Sequence, residues 1–343
     1  MSKLANSLFH YNNADYEGTA IDKMKVGNGR IEYSNGDIFE GNFSNNKKQG
    51  HGIYYYKKGS KYEGEYNEDK KEGKGIFYFK NGNRYEGDFK NDLIEGNGIL
   101  FYKTGERYEG EFKENKIEGK GKYYYNNGII FEGEFKNGIK NGKAIYHFKN
   151  EDRYEGNMNN GKNEGKWTYY FKNGDKYEEE YDQKNEIKSD KKIFYYNNGD
   201  KFEGIWSNGK KEGAGVYTYS NGDRYEGNFK DDKIDGKGKC FYENGDIYDG
   251  DWTLGKKNGR GIYIYKNEDK FDGYWKDDKK EGKGCYSYYN GNRFEGNWKD
   301  DLREGEGIIF FADGRHKLCI YSKDKCVKFI KEDLSLSKSN QIN

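Results

Sequence analysis

Three patterns in this sequence hold residue types that do chemistry in other settings. Gly-x-Gly, which cradles phosphate when it opens a helix, is intact at ten places, including Gly73-Lys74-Gly75 and Gly236-Lys237-Gly238. Carboxylates two residues apart, such as Glu63 and Glu65, are the types needed for general acid and base work. His316, Cys319 and Cys326 lie close enough in sequence to serve as zinc ligands.

Each pattern fails on its surroundings. No helix start follows the Gly-x-Gly copies, and their repetition gives them a structural explanation. The paired carboxylates recur along the whole chain on what reads as a solvated face. The three candidate zinc ligands lack a fourth, and His10, His51 and His147 are scattered. No nucleophile has both a base and an orienting group near it in sequence. The expectation is a non-enzyme with no cofactor, no metal and no small-molecule substrate.

What the patterns share is a period. A tyrosine or phenylalanine followed by Glu-Gly or Asp-Gly recurs at Tyr16, Phe39, Tyr62, Tyr85, Tyr108, Phe131 and Tyr154. It returns at Phe202, Tyr225, Tyr248, Phe271 and Phe294, and Tyr177 holds the same place with Glu178-Glu179. Every interval is 23 residues except Tyr177 to Phe202, which is 25. A fixed period sets the architecture before any single residue does.

Composition agrees. Only 32% of the residues are hydrophobic and 35% are charged, a balance typical of disorder. The 35 tyrosines and 21 phenylalanines instead recur at fixed places and supply a thin aromatic core. Proline is absent and there are 49 glycines, which suits many strands joined by tight turns. The four cysteines, Cys240, Cys285, Cys319 and Cys326, fall in the last third, which favours a reducing compartment. Met1 to His10 lacks the apolar run of a signal peptide, and no stretch reaches the roughly 20 apolar residues of a membrane span. A net charge of +1 with interleaved signs argues against nucleic acid as a partner.

Counting each repeat from its tyrosine as position 0, side-chain alternation puts Tyr62, Gly64 and Tyr66 on one face and Glu63 and Glu65 on the other. Positions +15 and +17 are nearly always aromatic or aliphatic, whereas +14 and +16 accept Lys122, Lys239, Glu32, His147, Thr218 and Ser287. One buried face then requires Gly64 opposite Gly75, and a three-residue turn, Lys80-Asn81-Gly82, with Gly82 left-handed. Glu151 and Glu268 replace that turn glycine.

Three rows follow: an aromatic ladder at 0 and +15, a glycine row at +2 and +13, and a row alternating the +4 aromatic with the +11 glycine. Glycine weakens strands, so a whole row of it needs a cause. Rings from both flanking rows lying over bare backbone supply one. The expected repeat core includes Tyr62, Gly64, Tyr66, Gly73, Gly75, Tyr85, Gly87, Phe89, Tyr225, Gly227, Phe229, Gly236 and Gly238.

Tyr-Glu-Gly-Glu-Phe/Trp, then Asn-Gly or Asp-Lys, then Gly-x-Gly and an aromatic strand ending in Asn-Gly-Asp resembles the MORN repeat. Tyr225–Gly250 is an especially close match, and the likeness spans about residues 16 to 321. The resemblance implies an all-β fold, an elongated single-layer antiparallel meander of 13–14 hairpins. It further implies a scaffold in cortical cytoskeleton or a cilium, often self-associating, and, less directly, contact with phosphoinositides.

The expected organisation is an irregular cap at 1–15, repeats one to seven at 16–176, a degenerate repeat eight at 177–201, repeats nine to thirteen at 202–316, and a degenerate unit with a cap at 317–343. Val327, Ile330 and Leu334 fall at helical spacing and predict a capping helix. Trp167, Glu179 and Lys192 interrupt the glycine row, and Asp190 takes another glycine slot; these four mark a drifted repeat or else a hinge or partner site. Lys47, Lys48, Lys70, Lys71, Lys210, Lys211, Lys256, Lys257, Lys279 and Lys280 fall on one loop edge and make a candidate lipid-facing stripe, offset by Glu68, Asp69, Asp277 and Asp278. The expected function is a protein-binding cytoplasmic scaffold, dimerising through a terminal repeat, with anionic lipid as the alternative partner.

Overall fold

A computed structural model describes residues 5–11, 13–182 and 184–333. It is all-β: 29 strands, each antiparallel to the next in sequence, form one open single-layer sheet, and the described residues contain no helix. Two compact units emerge, residues 1–172 with 180–186, and residues 173–179 with 187–343.

The repeat at Tyr62 shows how sequence becomes strand. Lys61–Asn67 pairs with Lys70–Tyr78, placing Tyr62 opposite Phe77 and Gly64 opposite Gly75. The next strand, Arg84–Lys90, continues both rows with Phe77 opposite Tyr85 and Gly75 opposite Gly87. At the Lys80-Asn81-Gly82 turn, the Phe79 N–H donates to the Asn83 carbonyl and the Gly82 N–H to the Phe79 carbonyl. Gly82 is left-handed at φ 91°, the geometry of a type I turn closed by a bulge. Glu151 and Glu268 adopt the same region at φ 69° and 70° without the freedom of glycine.

The row-0 rings lie on the glycine row. Tyr62, Tyr85, Tyr108, Tyr225 and Tyr248 are fully buried. A Cβ added at Gly75 would sit 2.5 Å from the Tyr62 Oη, and one at Gly98 would sit 2.4 Å from Tyr85 Cε2. The Tyr62 hydroxyl, having crossed the row, donates to the Glu65 carbonyl at 3.0 Å. In these regular repeats it is the row-0 rings that lie over the glycines. The +4 rings stand on edge instead: Tyr66 and Phe89 meet Tyr62 at 87° and 76°, with centroids 5.3 and 4.8 Å away. Edge-to-face contact satisfies the ring quadrupoles, so the layer becomes a herringbone.

Four expectations need correction. Within a hairpin the +4 aromatic faces lysine at +9 rather than glycine at +11, as in Tyr66 opposite Lys71. The chain turns tightly at Glu68-Asp69, both left-handed, and a bulge then sets Glu65 against Glu72, Gly73 and Lys74. Gly73, at φ 66°, sits in that bulge and reaches the expected +4 ring only across repeats, opposite Phe89. The cap at 1–15, expected to be irregular, contains a strand, Ala5–Tyr11, which sets Phe9 opposite Tyr16.

The predicted C-terminal helix is instead the strand Lys325–Asp333. Register shifts on either side of Lys328 and Phe329 leave Val327 and Ile330 as extra, exposed residues. Two bulges three residues apart imitate helical spacing, and the open edge of His316–Ser322 gains a partner that a helix cannot give it. Leu334 lies outside the described residues. Cys319 and Cys326, whose place in the last third favoured a reducing compartment, form a disulfide in this last hairpin.

Candidate functional site

The ten lysines of the loop edge divide by position. At +9, Lys48, Lys71, Lys211, Lys257 and Lys280 fold over the aromatic face: the Lys48 Nζ lies 5.1 Å from the Tyr54 centroid and that of Lys257 4.8 Å from Trp275. The ammonium groups of Lys71 and Lys211 reach rings of two successive repeats. Burial lowers the pKa of Lys48, Lys257 and Lys280 below the ordinary lysine value. Their backbone N–H groups donate to the turn aspartate of the following repeat, Lys48 to Asp69, Lys211 to Asp232 and Lys280 to Asp301.

At +8 the side chains are exposed but engaged. Lys47 pairs with Glu68, Lys210 with Asp231 at 2.7 Å, Lys256 with Asp277 at 3.5 Å and Lys279 with Asp300 at 2.9 Å, while Lys70 donates to Asn91. Each pair joins one repeat to the next. The loop edge therefore carries alternating charge knitted along its length.

The opposite edge is laced in the same way wherever an acid stands two residues before the ring, as Asp37 does before Phe39. Asp37 accepts from the Tyr54 hydroxyl at 3.0 Å and the Lys57 N–H at 2.9 Å. That backbone hydrogen bond and the Tyr54 hydroxyl hold its carboxyl below the usual aspartate range. Asp152, Asp200, Asp246 and Asp269 repeat the contact with Tyr169, Tyr217, Tyr263 and Tyr286.

Sequence reasoning missed a second ladder, on the outer face. Where a basic residue stands just before the ring it stacks on the +16 aromatic, as Arg84 does on Phe101 at 4.4 Å, Arg107 on Tyr124 at 3.9 Å and Arg153 on Tyr170 at 4.1 Å. Exceptions such as Thr218 and Ser287 hid the pattern. A basic residue before the ring in most repeats, followed two residues on by an acid, was its signal: Arg84 also pairs with Glu86, and Arg293 with Glu295.

The candidate hinge residues fall in different surroundings. In the first unit, Trp167 is fully buried and takes over the glycine row from Tyr154: a Cβ at Gly156 would meet Trp167 Cδ2 at 2.4 Å. Its indole N–H donates to the Asn157 carbonyl at 3.0 Å. In the second unit, Lys192 occupies the row opposite Gly204 and pairs with buried Glu179 at 2.9 Å. Asp190 is exposed and joins neither residue; its carbonyl accepts from the Trp206 N–H. Among the described residues, no three His, Cys, Asp or Glu side chains converge as metal ligands.

The MORN repeat model matches eleven segments: 16–38, 39–61, 62–84, 85–107, 108–130, 131–153, 202–224, 225–247, 248–270, 271–293 and 294–314. The unmatched 154–201 is the stretch where tryptophan and an ion pair replace row glycines. No curated protein sequence matches the chain. Among solved structures, the TCP domain of Drosophila melanogaster SAS-4, in complex with a proline-rich motif of Ana2, is 18% identical. That match covers 46% of this chain and 85% of that one at a TM-score of 0.32. The TCP10 domain of Danio rerio CPAP is 10% identical over 68% of this chain and 98% of its own, at a TM-score of 0.25. A streptogramin B lyase is 14% identical over 90% and 98%, at 0.14. Similarities this low carry no functional argument.

Proposed function

The chain belongs to the MORN-repeat family, and on that premise we propose that it is a non-enzymatic cytoplasmic scaffold that holds other proteins at repeat-set intervals in cortical cytoskeleton or a cilium. The supporting observation is where the reactive residue types go. Row glycines lie under rings, hydroxyls such as those of Tyr62 and Tyr217 bond to main chain or to a turn carboxylate, and +8 lysines such as Lys210 pair with the following repeat. What remains outward is a periodic surface, which suits holding partners at fixed intervals. A second copy, docking through a terminal repeat, is the expected first partner.

Locating the tagged protein in its own cell and measuring its mass by light scattering test this reading. A cytoskeletal or ciliary position with a concentration-dependent dimer supports it. Salt-sensitive sedimentation with anionic vesicles, lost when the +8 lysines are neutralised, would favour a membrane role instead. Steady turnover of any small substrate would end the scaffold reading.

A further inference from the structure

We propose that the turn edge of the second to fourth repeats binds an acidic, proline-rich segment of a partner protein in the polyproline II conformation. The proposal rests on the scaffold reading and narrows one partner to a chemical class.

Along this edge the +17 rings Tyr56, Phe79 and Tyr102 stand half-buried, one per repeat. Two strands separate successive members, so they recur about every 9.6 Å at roughly 4.8 Å per strand. Between Tyr56 and Phe79 the Phe77 ring forms a floor, with centroids 5.8 and 4.7 Å from its two neighbours. Rings and turn residues enclose an open slot of about 700 Å³.

The floor itself, the Phe77 ring, is apolar. Phe77 lacks the hydroxyl that Tyr54 and Tyr123 give to a carboxylate, and Ser60 stands where those repeats have Asp37 and Glu106. Both oxygens of Asp37, at the slot wall, already accept hydrogen bonds. The rim is basic: Lys57, Lys58, Lys80 and, one repeat on, Lys103 are all exposed. Among the described residues none of the four has an ion pair, unlike Lys210 or Lys279 on the other edge.

A polyproline II helix advances about 3.1 Å per residue with three residues per turn, or roughly 9.3 Å per turn. Proline at every third position therefore keeps step with successive +17 rings, with a mismatch of a few tenths of an ångström. Aromatic grooves favour this conformation because it is preformed and little entropy is lost on docking. Acidic residues between the prolines face the unpaired lysines, which set orientation and exclude basic sequences. These 343 residues contain no proline, so no segment among them supplies the prolines of the occupant.

The test uses the full chain and fluorescence anisotropy with a labelled peptide of about four Pro-Pro-Glu triplets, spanning about four turns. The comparison peptides are Gly-Gly-Glu and Pro-Pro-Lys repeats of equal length. The Pro-Pro-Glu peptide should bind in the micromolar range, and the other two about ten-fold more weakly or not at all. The variant Lys57→Ser/Lys80→Ser should weaken binding about five- to ten-fold, while Lys256→Ser/Lys279→Ser leaves it unchanged. Equal binding of Gly-Gly-Glu, or no effect at Lys57 and Lys80, overturns the proposal. So does a failure of the peptide alongside sedimentation with phosphatidylserine vesicles that needs Lys57 and Lys80. A chain that ignores the peptide yet still assembles with proteins keeps its scaffold role and loses only this inference.

Discussion

Replacing Gly98 by alanine should be as damaging as removing a core ring, although it adds a single methyl group. The three atoms nearest to a Cβ at Gly98 all belong to Tyr85: Cε2 and Oη at 2.4 Å and Cζ at 2.5 Å. The methyl and the ring cannot share the space, so Tyr85, now fully buried, must leave. A tyrosine buries about 150–200 Å², worth roughly 4 kcal/mol at about 25 cal/mol per Å². Its hydroxyl also surrenders the bond to the Asp88 carbonyl, about 1 kcal/mol. Partial repacking returns some of this, leaving an expected loss of about 3 kcal/mol, similar to the ~3–5 kcal/mol of large-to-small core changes. The double-mutant cycle isolates the cause. With Tyr85→Ala already present, Gly98→Ala should cost under about 1 kcal/mol, a coupling of about 2–3 kcal/mol. Urea denaturation of the full chain, with hydrogen exchange over Arg84–Lys90 and Leu93–Phe101, reads both. Equal costs of Gly98→Ala with and without the Tyr85 ring would refute the idea that the glycine makes room for it.

Three further outcomes follow from the geometry. Glu268→Gly relieves a left-handed glutamate and should stabilise by about 0.5–1 kcal/mol in thermal melts, whereas Gly245→Ala, at φ 93°, should destabilise by about 1 kcal/mol. Burial pushes the hydroxyls of Tyr33, Tyr146 and Tyr265 up to about 12. A folded pKa raised above the ordinary value of 10.0 means their stabilising contribution is complete below pH 10 and is lost as pH climbs towards 12. Tyrosinate absorbance and loss of the sheet signal should therefore rise together in an alkaline titration; tyrosinate formed while the fold persists would contradict this. Glu179→Gln leaves a partly buried Lys192 beside a neutral partner and should cost about 2 kcal/mol, read as faster exchange over Lys191–Tyr195. Glu179→Gly/Lys192→Gly, which restores bare backbone, should be the more stable of the two variants.

The period, the facing of Gly64 on Gly75 and the left-handed Gly82 were readable because each is a local constraint repeated many times. One buried face and a fixed turn length leave a single register. The bulge at Gly73 was not readable: parity is preserved whether the extra residues are spread through a loop or gathered into a kink, and only the cross-repeat bonds from Lys71 to Asp92 choose the kink. The lysine edge illustrates the same limit. Neighbouring lysines in sequence, such as Lys210 and Lys211, take opposite roles because alternation sends one to solvent and the other across the rings. At the C-terminus, Val327 and Ile330 gave a spacing that suits a helix and a doubly bulged strand equally, and the open sheet edge decided between them. The slot between Tyr56 and Phe79 depends on what Ser60 and Phe77 lack, which a search for reactive residues passes over.

The most direct measurement is the proton spectrum of the row glycines in selectively glycine-labelled protein. Protons beneath an aromatic ring are shifted upfield, so the Hα resonances of Gly64, Gly75, Gly87 and Gly98 should lie well upfield of those of Gly59 and Gly82, which sit in turns. Tyr62→Leu should return Gly64 and Gly75 alone to ordinary positions. Row and turn glycines with the same shifts, unmoved by Tyr62→Leu, would mean that the rings do not lie on the bare backbone.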